Sequence, residues 1–124
     1  MGTRAITDDG PANFTITVVR GDDVSRVFEF YSAWTDEGTN TPLDLTGRSY
    51  TSTISSTLGG TAVKTPTVTN AAPTTGQITW SLTDTDTDAL TGARYVFDVV
   101  ENAGTTAERT VILGNILMIG RASA

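Results

Sequence analysis

Asp84, Asp86 and Asp88 form the densest cluster of side chains that could do chemistry. Carboxylates at alternate positions open a calcium loop, which then requires a glycine directly after the third and a glutamate at its end. Ala89 and Tyr95 occupy those places, so the EF-hand reading fails and leaves only an irregular calcium site, which would still require several further oxygen ligands. An acidic helix start, with carboxylates beside unpaired backbone N–H groups, accounts for the same residues. Asp8-Asp9 and Asp22-Asp23 are acidic pairs. Glycoside hydrolysis needs two carboxylates facing each other across a cleft, whereas aspartates in turns are solvated. Lys64 could serve a Ser–Lys dyad, but it lies in a Thr-rich edge segment. Trp34 and Trp80 could form a sugar-stacking platform. Their inward register makes core packing the expected role.

Composition narrows the chemistry further. The chain has 124 residues, neither His nor Cys, and a net charge of −6. Without His it lacks the commonest general base and zinc ligand. Without Cys it has no disulfide framework and no thiolate site. No catalytic, cofactor or metal residues are expected, and the reading is non-enzymatic. An acidic chain with scattered Arg is poorly suited to neutralising phosphates, so no nucleic-acid partner is expected. No apolar run is long enough to span a bilayer, and residues 1–11 lack an apolar signal core.

The elements that position these residues read as strands. After a polar, aperiodic arm over residues 1–12, Asn13 to Val19 alternates, with Phe14, Ile16 and Val18 on one face. Gly21-Asp22-Asp23 is a turn. Val24 to Trp34 puts Phe28, Phe30 and Trp34 on one face. Thr35 to Pro42 is loop chemistry. Tyr50, Ser52 and Ile54 face inward on the next strand, and Leu58-Gly59-Gly60 is a hairpin turn. Ala62 to Thr69 is a weaker strand that Pro66 marks as an edge. Gln77 to Leu82 turns Ile78, Trp80 and Leu82 inward. Thr83 caps one helical turn. Arg94 to Glu101 and Thr106 to Leu113 form a hairpin, the latter continuing to Ile119 through a bulge at Gly114.

One corner fixes the class. An acidic turn is followed by Leu90, Gly92 and then Tyr95 opening a strand in which Tyr95, Phe97 and Val99 point one way. That is the pattern of the tyrosine corner between the two sheets of an immunoglobulin-like sandwich. The expected fold is therefore all-β: an immunoglobulin-like sandwich of seven to eight strands over residues 13–124, with a flexible, extended N-terminal arm over 1–12. Its core and corner are Phe14, Phe28, Phe30, Trp80, Leu90, Gly92, Tyr95 and Phe97.

The order of motifs resembles a family of small tail-associated structural proteins of tailed bacteriophages. Phe14-Thr15-Ile16-Thr17-Val18, Gly21-Asp22-Asp23 and Phe28-Glu29-Phe30 are similar to that family's opening strand, turn and aromatic strand. Pro42-Leu43-Asp44-Leu45-Thr46-Gly47 is similar to its most recognisable run. Gly76 to Leu82, Ala89 to Val99 and Leu113-Gly114-Asn115-Ile116 follow in the family's order. The chain departs from the pattern at Ser55-Ser56, where members carry a basic residue, and in the long loop from Thr35 to Thr41. The resemblance implies a virion structural protein assembled in the host cytoplasm. Its role would be a tail or baseplate component, or a fibre-attachment adaptor, acting by protein–protein docking. The alternatives are a trimeric capsid decoration (cement) protein and a carbohydrate-binding module for host attachment.

Val111 to Ile119 is apolar on both faces, whereas a strand with one wet face should alternate. Either another surface covers the second face or Gly114 shifts the register. Ile116, Leu117, Met118 and Ile119 are accordingly the candidate interface with other virion proteins or with further copies of the chain.

Overall fold

The structure, a computed structural model, describes residues 2–6, 12–33 and 41–120. It is mostly strand with almost no helix, arranged as two five-stranded sheets. The strands are β1 (Gly2–Ile6), β2 (Ala12–Val19), β3 (Val24–Ala33), β4 (Thr41–Pro42), β5 (Tyr50–Ser55), β6 (Ala62–Lys64), β7 (Thr67–Thr69), β8 (Gln77–Leu82), β9 (Arg94–Glu101) and β10 (Arg109–Ile119). A single helical turn, α1 (Asp84–Asp88), joins β8 to β9. One sheet has the order β1-β3-β8-β7, with β4 also paired to β3; the other runs β2-β10-β9-β5-β6.

Alternation builds both inner faces. Phe28 and Phe30 on β3, Ile78, Trp80 and Leu82 on β8, and Tyr95, Phe97 and Val99 on β9 are all buried. Period-two patterning sends every second side chain to the same face, so these rows meet between the sheets. Aromatic rings lock the contact. Trp80 of one sheet lies 5.4 Å from Phe97 of the other, Phe30 lies 5.8 Å from Tyr50, and Phe14 lies 5.1 Å from Phe28. The Trp80 indole N–H also donates to the Ser52 hydroxyl at 2.9 Å.

The sequence and the structure part in five places. Ten strands stand among the described residues where seven to eight were expected, and Thr41–Pro42, expected as loop, pairs with β3 as β4. The segment expected as an arm contains β1, which pairs in parallel with β3, and Ala12 is the first residue of β2. The segment Ala62 to Thr69 is two strands in different sheets. β6 pairs with β5 and β7 pairs with β8. Pro66, which has no N–H to give a ladder, is buried at the crossing. The irregularity of β10 falls between Thr110 and Ile112, not at Gly114. Val111 and Ile112 are therefore both buried, and β10 alternates from there on. Finally, Ile116 and Met118 belong to the core. Trp34, Asp8, Asp9 and most of the loop from Thr35 lie outside the described residues.

The run Leu43 to Gly47 has a clear local cause. The Asp44 carboxylate accepts from the Thr46 N–H and hydroxyl, at 3.0 and 2.6 Å. Those bonds hold its pKa below the ordinary value. The Arg48 N–H closes the turn on the Leu45 carbonyl, with Gly47 at φ +81°, a conformation that favours glycine. Leu45 is thereby driven fully into the core, and Asn70 donates to the carbonyls of Leu45 and Arg48.

Candidate functional site

The corner between β8 and β9 carries a dense set of side-chain bonds. Thr83 caps α1 through a capping box: its hydroxyl accepts from the Asp86 N–H while the Asp86 carboxylate accepts from the Thr83 N–H. Asp23 accepts from the Asp84 N–H at 2.7 Å, and Asp84 accepts from the Thr85 N–H at 2.7 Å. Asp86 also pairs with Lys64 at 3.7 Å. Among the described residues no group of three or more acidic side chains is arranged to hold a metal ion. These carboxylates bond backbone N–H groups and a lysine, which is the work of a helix start.

Thr87 ties this turn to the β2–β3 turn. It is fully buried, and its hydroxyl accepts from the Gly21 N–H at 3.0 Å and lies 2.9 Å from the Asp22 carbonyl. Arg20 reaches over to the carbonyls of Leu90 and Thr91, at 3.1 and 3.0 Å. The Tyr95 hydroxyl accepts from the Gly92 N–H at 2.8 Å. A Cβ at Gly92 would press on that hydroxyl at 3.0 Å. The Tyr95 hydroxyl thus bonds back to the backbone of the turn before its strand, and Leu90 is buried. Tyr95→Phe keeps the ring and strands the Gly92 N–H. The expected result is a loss of about 1–2 kcal/mol in urea unfolding. No change in the midpoint would show that the hydroxyl bond contributes nothing.

The alternation of β9, carried one step beyond Val99, puts Glu101 inside. Its side chain is 5% exposed. The carboxylate accepts from the Tyr50 hydroxyl at 2.8 Å, from Arg48 at 3.3 Å and from Arg109 at 3.2 Å. Burial, followed by the neighbouring Glu101 carboxylate, raises the Tyr50 pKa. Arg48, Glu101 and Arg109 of this cluster line a shallow depression with Asn102 and Ala107. It joins the ends of β5, β9 and β10. Sequence reasoning missed it, although an acidic residue on the inward phase of a strand is the signal, because buried carboxylates require partners.

The outer face of the second sheet carries Val96, Asp98 and Val100 on β9 and Leu113, Asn115 and Leu117 on β10. Of the four residues expected to form an interface, Ile116 and Met118 point into the core. Leu117 is half-buried on the outer face, and Ile119 is 47% exposed. Leu58, 77% exposed, stands at the β5–β6 turn. Leu58, Gly59 and Gly60 with Thr53, Val96, Asp98 and Leu113 enclose a small groove.

Burial raises the Asp98 pKa above the ordinary carboxylate value, and the bond from the Thr53 N–H lowers it in part. The fold thus disfavours the ionised form. That penalty is present above the folded pKa and is relieved as pH falls through it towards the unfolded value. Asp98→Asn keeps an acceptor for Thr53 and removes the charge. The variant is expected to melt higher than wild type at neutral pH, with the gain fading below about pH 4. A variant that melts lower at neutral pH contradicts this account.

Trp80 is fully buried and offers no face to a sugar. What the described surface presents is edges, a half-apolar sheet face and well-tied turns. No protein-family model matches the chain, and no curated protein matches it.

Proposed function

We propose that the chain is an immunoglobulin-like sandwich acting as a non-enzymatic structural component of a tailed-bacteriophage virion. Within the particle it serves as a tail or baseplate protein, or as a fibre-attachment adaptor. The observation that carries the fold half of this reading is the strand order. β1, β3, β8 and β7 stand as strands A, B, E and D, and β10, β9, β5 and β6 as G, F, C and C′. β2 lies parallel to β10, and Tyr95 opens the strand in the F position with its corner bond. The parallel pairing of β1 with β3 is a departure from that scheme.

The virion half rests on the ordered motifs from Phe14 to Ile119, and the geometry supplies a physical reason for several of them. The Pro42 to Gly47 run is a side-chain-locked turn that buries Leu45. Gly76 must be glycine. It sits at φ +72°, and a Cβ there would meet the Phe30 carbonyl oxygen at 2.5 Å. Leu90, Gly92 and Tyr95 make the corner. A small domain with this frame acts through its edges and faces, and repetition in a particle makes weak single contacts sufficient.

Quantitative mass spectrometry of purified particles of the encoding phage tests the reading. The chain is expected in about a few to a few dozen copies, as symmetric tail assemblies require. A ratio of about one per major capsid subunit would make it a cement protein. Absence from the particle overturns the virion reading and favours the glycan-binding alternative.

A further inference from the structure

We propose that β2 is a homodimerisation edge, at which two copies of the chain pair antiparallel about a two-fold axis centred near Thr15. The proposal does not rest on the virion assignment; it needs only the geometry of the second sheet.

β2 is an outer strand of its sheet, paired on one side with β10. The pairing runs without a shift from Ala12 opposite Ile112 to Val19 opposite Ile119. The Arg20 N–H donates to the Ile119 carbonyl, which sets the phase of the parallel ladder. Even-numbered residues of β2 bond β10. Asn13, Thr15, Thr17 and Val19 turn their N–H and C=O groups to the open side. On that side Asp22 donates to the Val19 carbonyl at 3.1 Å, and Arg26 reaches the Thr17 carbonyl at 3.4 Å. Among the described residues, both groups of Asn13 and of Thr15 and the Thr17 N–H are left to an incoming strand, and the Thr17 carbonyl, which has two lone pairs, can accept a second bond beside the long one from Arg26.

Proteins protect such edges with charges, prolines, bulges or short strands. Among the described residues the other edge strands show these devices. β6 and β7 have three residues each and flank Pro66, with Lys64 at the end of β6. β1 has five residues, contains Arg4 and carries a register shift. β2 has eight residues, no charge, no proline and no shift.

The edge also fits a second copy of itself. Two-fold pairing centred near Thr15 places the N–H and C=O of each Asn13 opposite those of the other copy's Thr17, and sets Thr15 against Thr15. On the inner face it sets Phe14 beside Ile16 of the other copy. Phe14 is only partly buried at this edge, packed against the core through Phe28. Aromatic and β-branched residues make favourable cross-strand pairs. The chain carries a net charge of −6, so two copies repel in general, and an uncharged strand is where that repulsion costs least. The pairing is isologous and closes at two, so it does not propagate into a filament.

Sedimentation of the full chain from about 1 μM to 1 mM, the range that spans weak to moderate association, tests the proposal. A concentration-dependent dimer is expected. Thr15→Pro should weaken it by at least about tenfold, because it removes an edge N–H that β10 does not use. Leu117→Glu, on the outer face, should leave it intact. Hydrogen exchange on the wild type gives a readout that needs no variant: the Thr15 and Thr17 amides should gain protection as concentration rises. A monomer throughout the range overturns the proposal. So does a dimer that survives Thr15→Pro, one that Leu117→Glu breaks, or protection at Thr15 that is independent of concentration.

Discussion

Trp80→Ala lowers the unfolding free energy by about 3–5 kcal/mol. The side chain is fully buried, and its ring packs 5.4 Å from Phe97 across the two sheets. Its removal leaves a void between layers whose backbones are fixed by their own ladders and cannot close on it. A polar loss adds to the cavity. The indole N–H donates to Ser52, whose hydroxyl donates in turn to the Asp98 carbonyl at 2.5 Å. This short relay links β8 to β5 and β9. Trp80→Phe retains most of the ring and forfeits the donor, so a smaller loss of about 1–2 kcal/mol is expected. Because domains of this size are stable by only about 5–15 kcal/mol, the alanine variant should be partly unfolded in mild denaturant. Guanidinium titration followed by circular dichroism measures both variants. An alanine variant within about 1 kcal/mol of wild type would mean that the sheets close over the gap.

Gly114→Ala is expected to cost about 3 kcal/mol, at the upper end of the usual overpacking range. A Cβ at this position falls inside van der Waals contact with the Phe14 carbonyl oxygen on β2 and with the Phe97 ring. The ring can swing aside, but the carbonyl belongs to the paired neighbouring strand and cannot. The strain should therefore appear as separation of β2 from β10, visible as faster hydrogen exchange of the Ile16 and Val18 amides. Gly120→Ala serves as a control, since nothing lies near a Cβ there; it should change stability by less than about 0.5 kcal/mol. Equal effects of the two substitutions would contradict the packing argument.

These two residues also mark how far the sequence could be read. Trp80 announced itself, because Ile78, Trp80 and Leu82 alternate cleanly and alternation specifies a face. The bond between Gly92 and Tyr95 and the capping box were legible for a similar reason: each is local chemistry within a few residues. Gly114 was legible as special but ambiguous in kind. A glycine in a strand marks either a bulge or a close approach; here it is a close approach, and the bulge sits at Val111, a β-branched residue that carries no signal. The alternation of β9 carried a signal for the burial of Glu101, but its partners Tyr50, which opens β5, and Arg48, in the turn before it, lie 51 and 53 residues away. The division of Ala62 to Thr69 between two sheets was likewise invisible. Pro66 shows where a ladder must stop, and nothing local shows which sheet receives the next strand. β1 lay in an aperiodic segment and is held by tertiary pairing alone.

The parallel pairing of β2 with β10 has a consequence for how the protein is made. Ile112 sits opposite Ala12, so the inner partner of one of the first strands to be synthesised is a hundred residues downstream. Until β10 has emerged from the ribosome, Phe14, Ile16 and Val18 have no ladder to hold them, and β2 is exposed along both sides. Contacts this distant in sequence make folding slow, and a nascent chain with a bare apolar strand is open to capture by chaperones or by other nascent chains. Folding yield should therefore respond to crowding during synthesis more strongly than the stability of the finished domain would suggest.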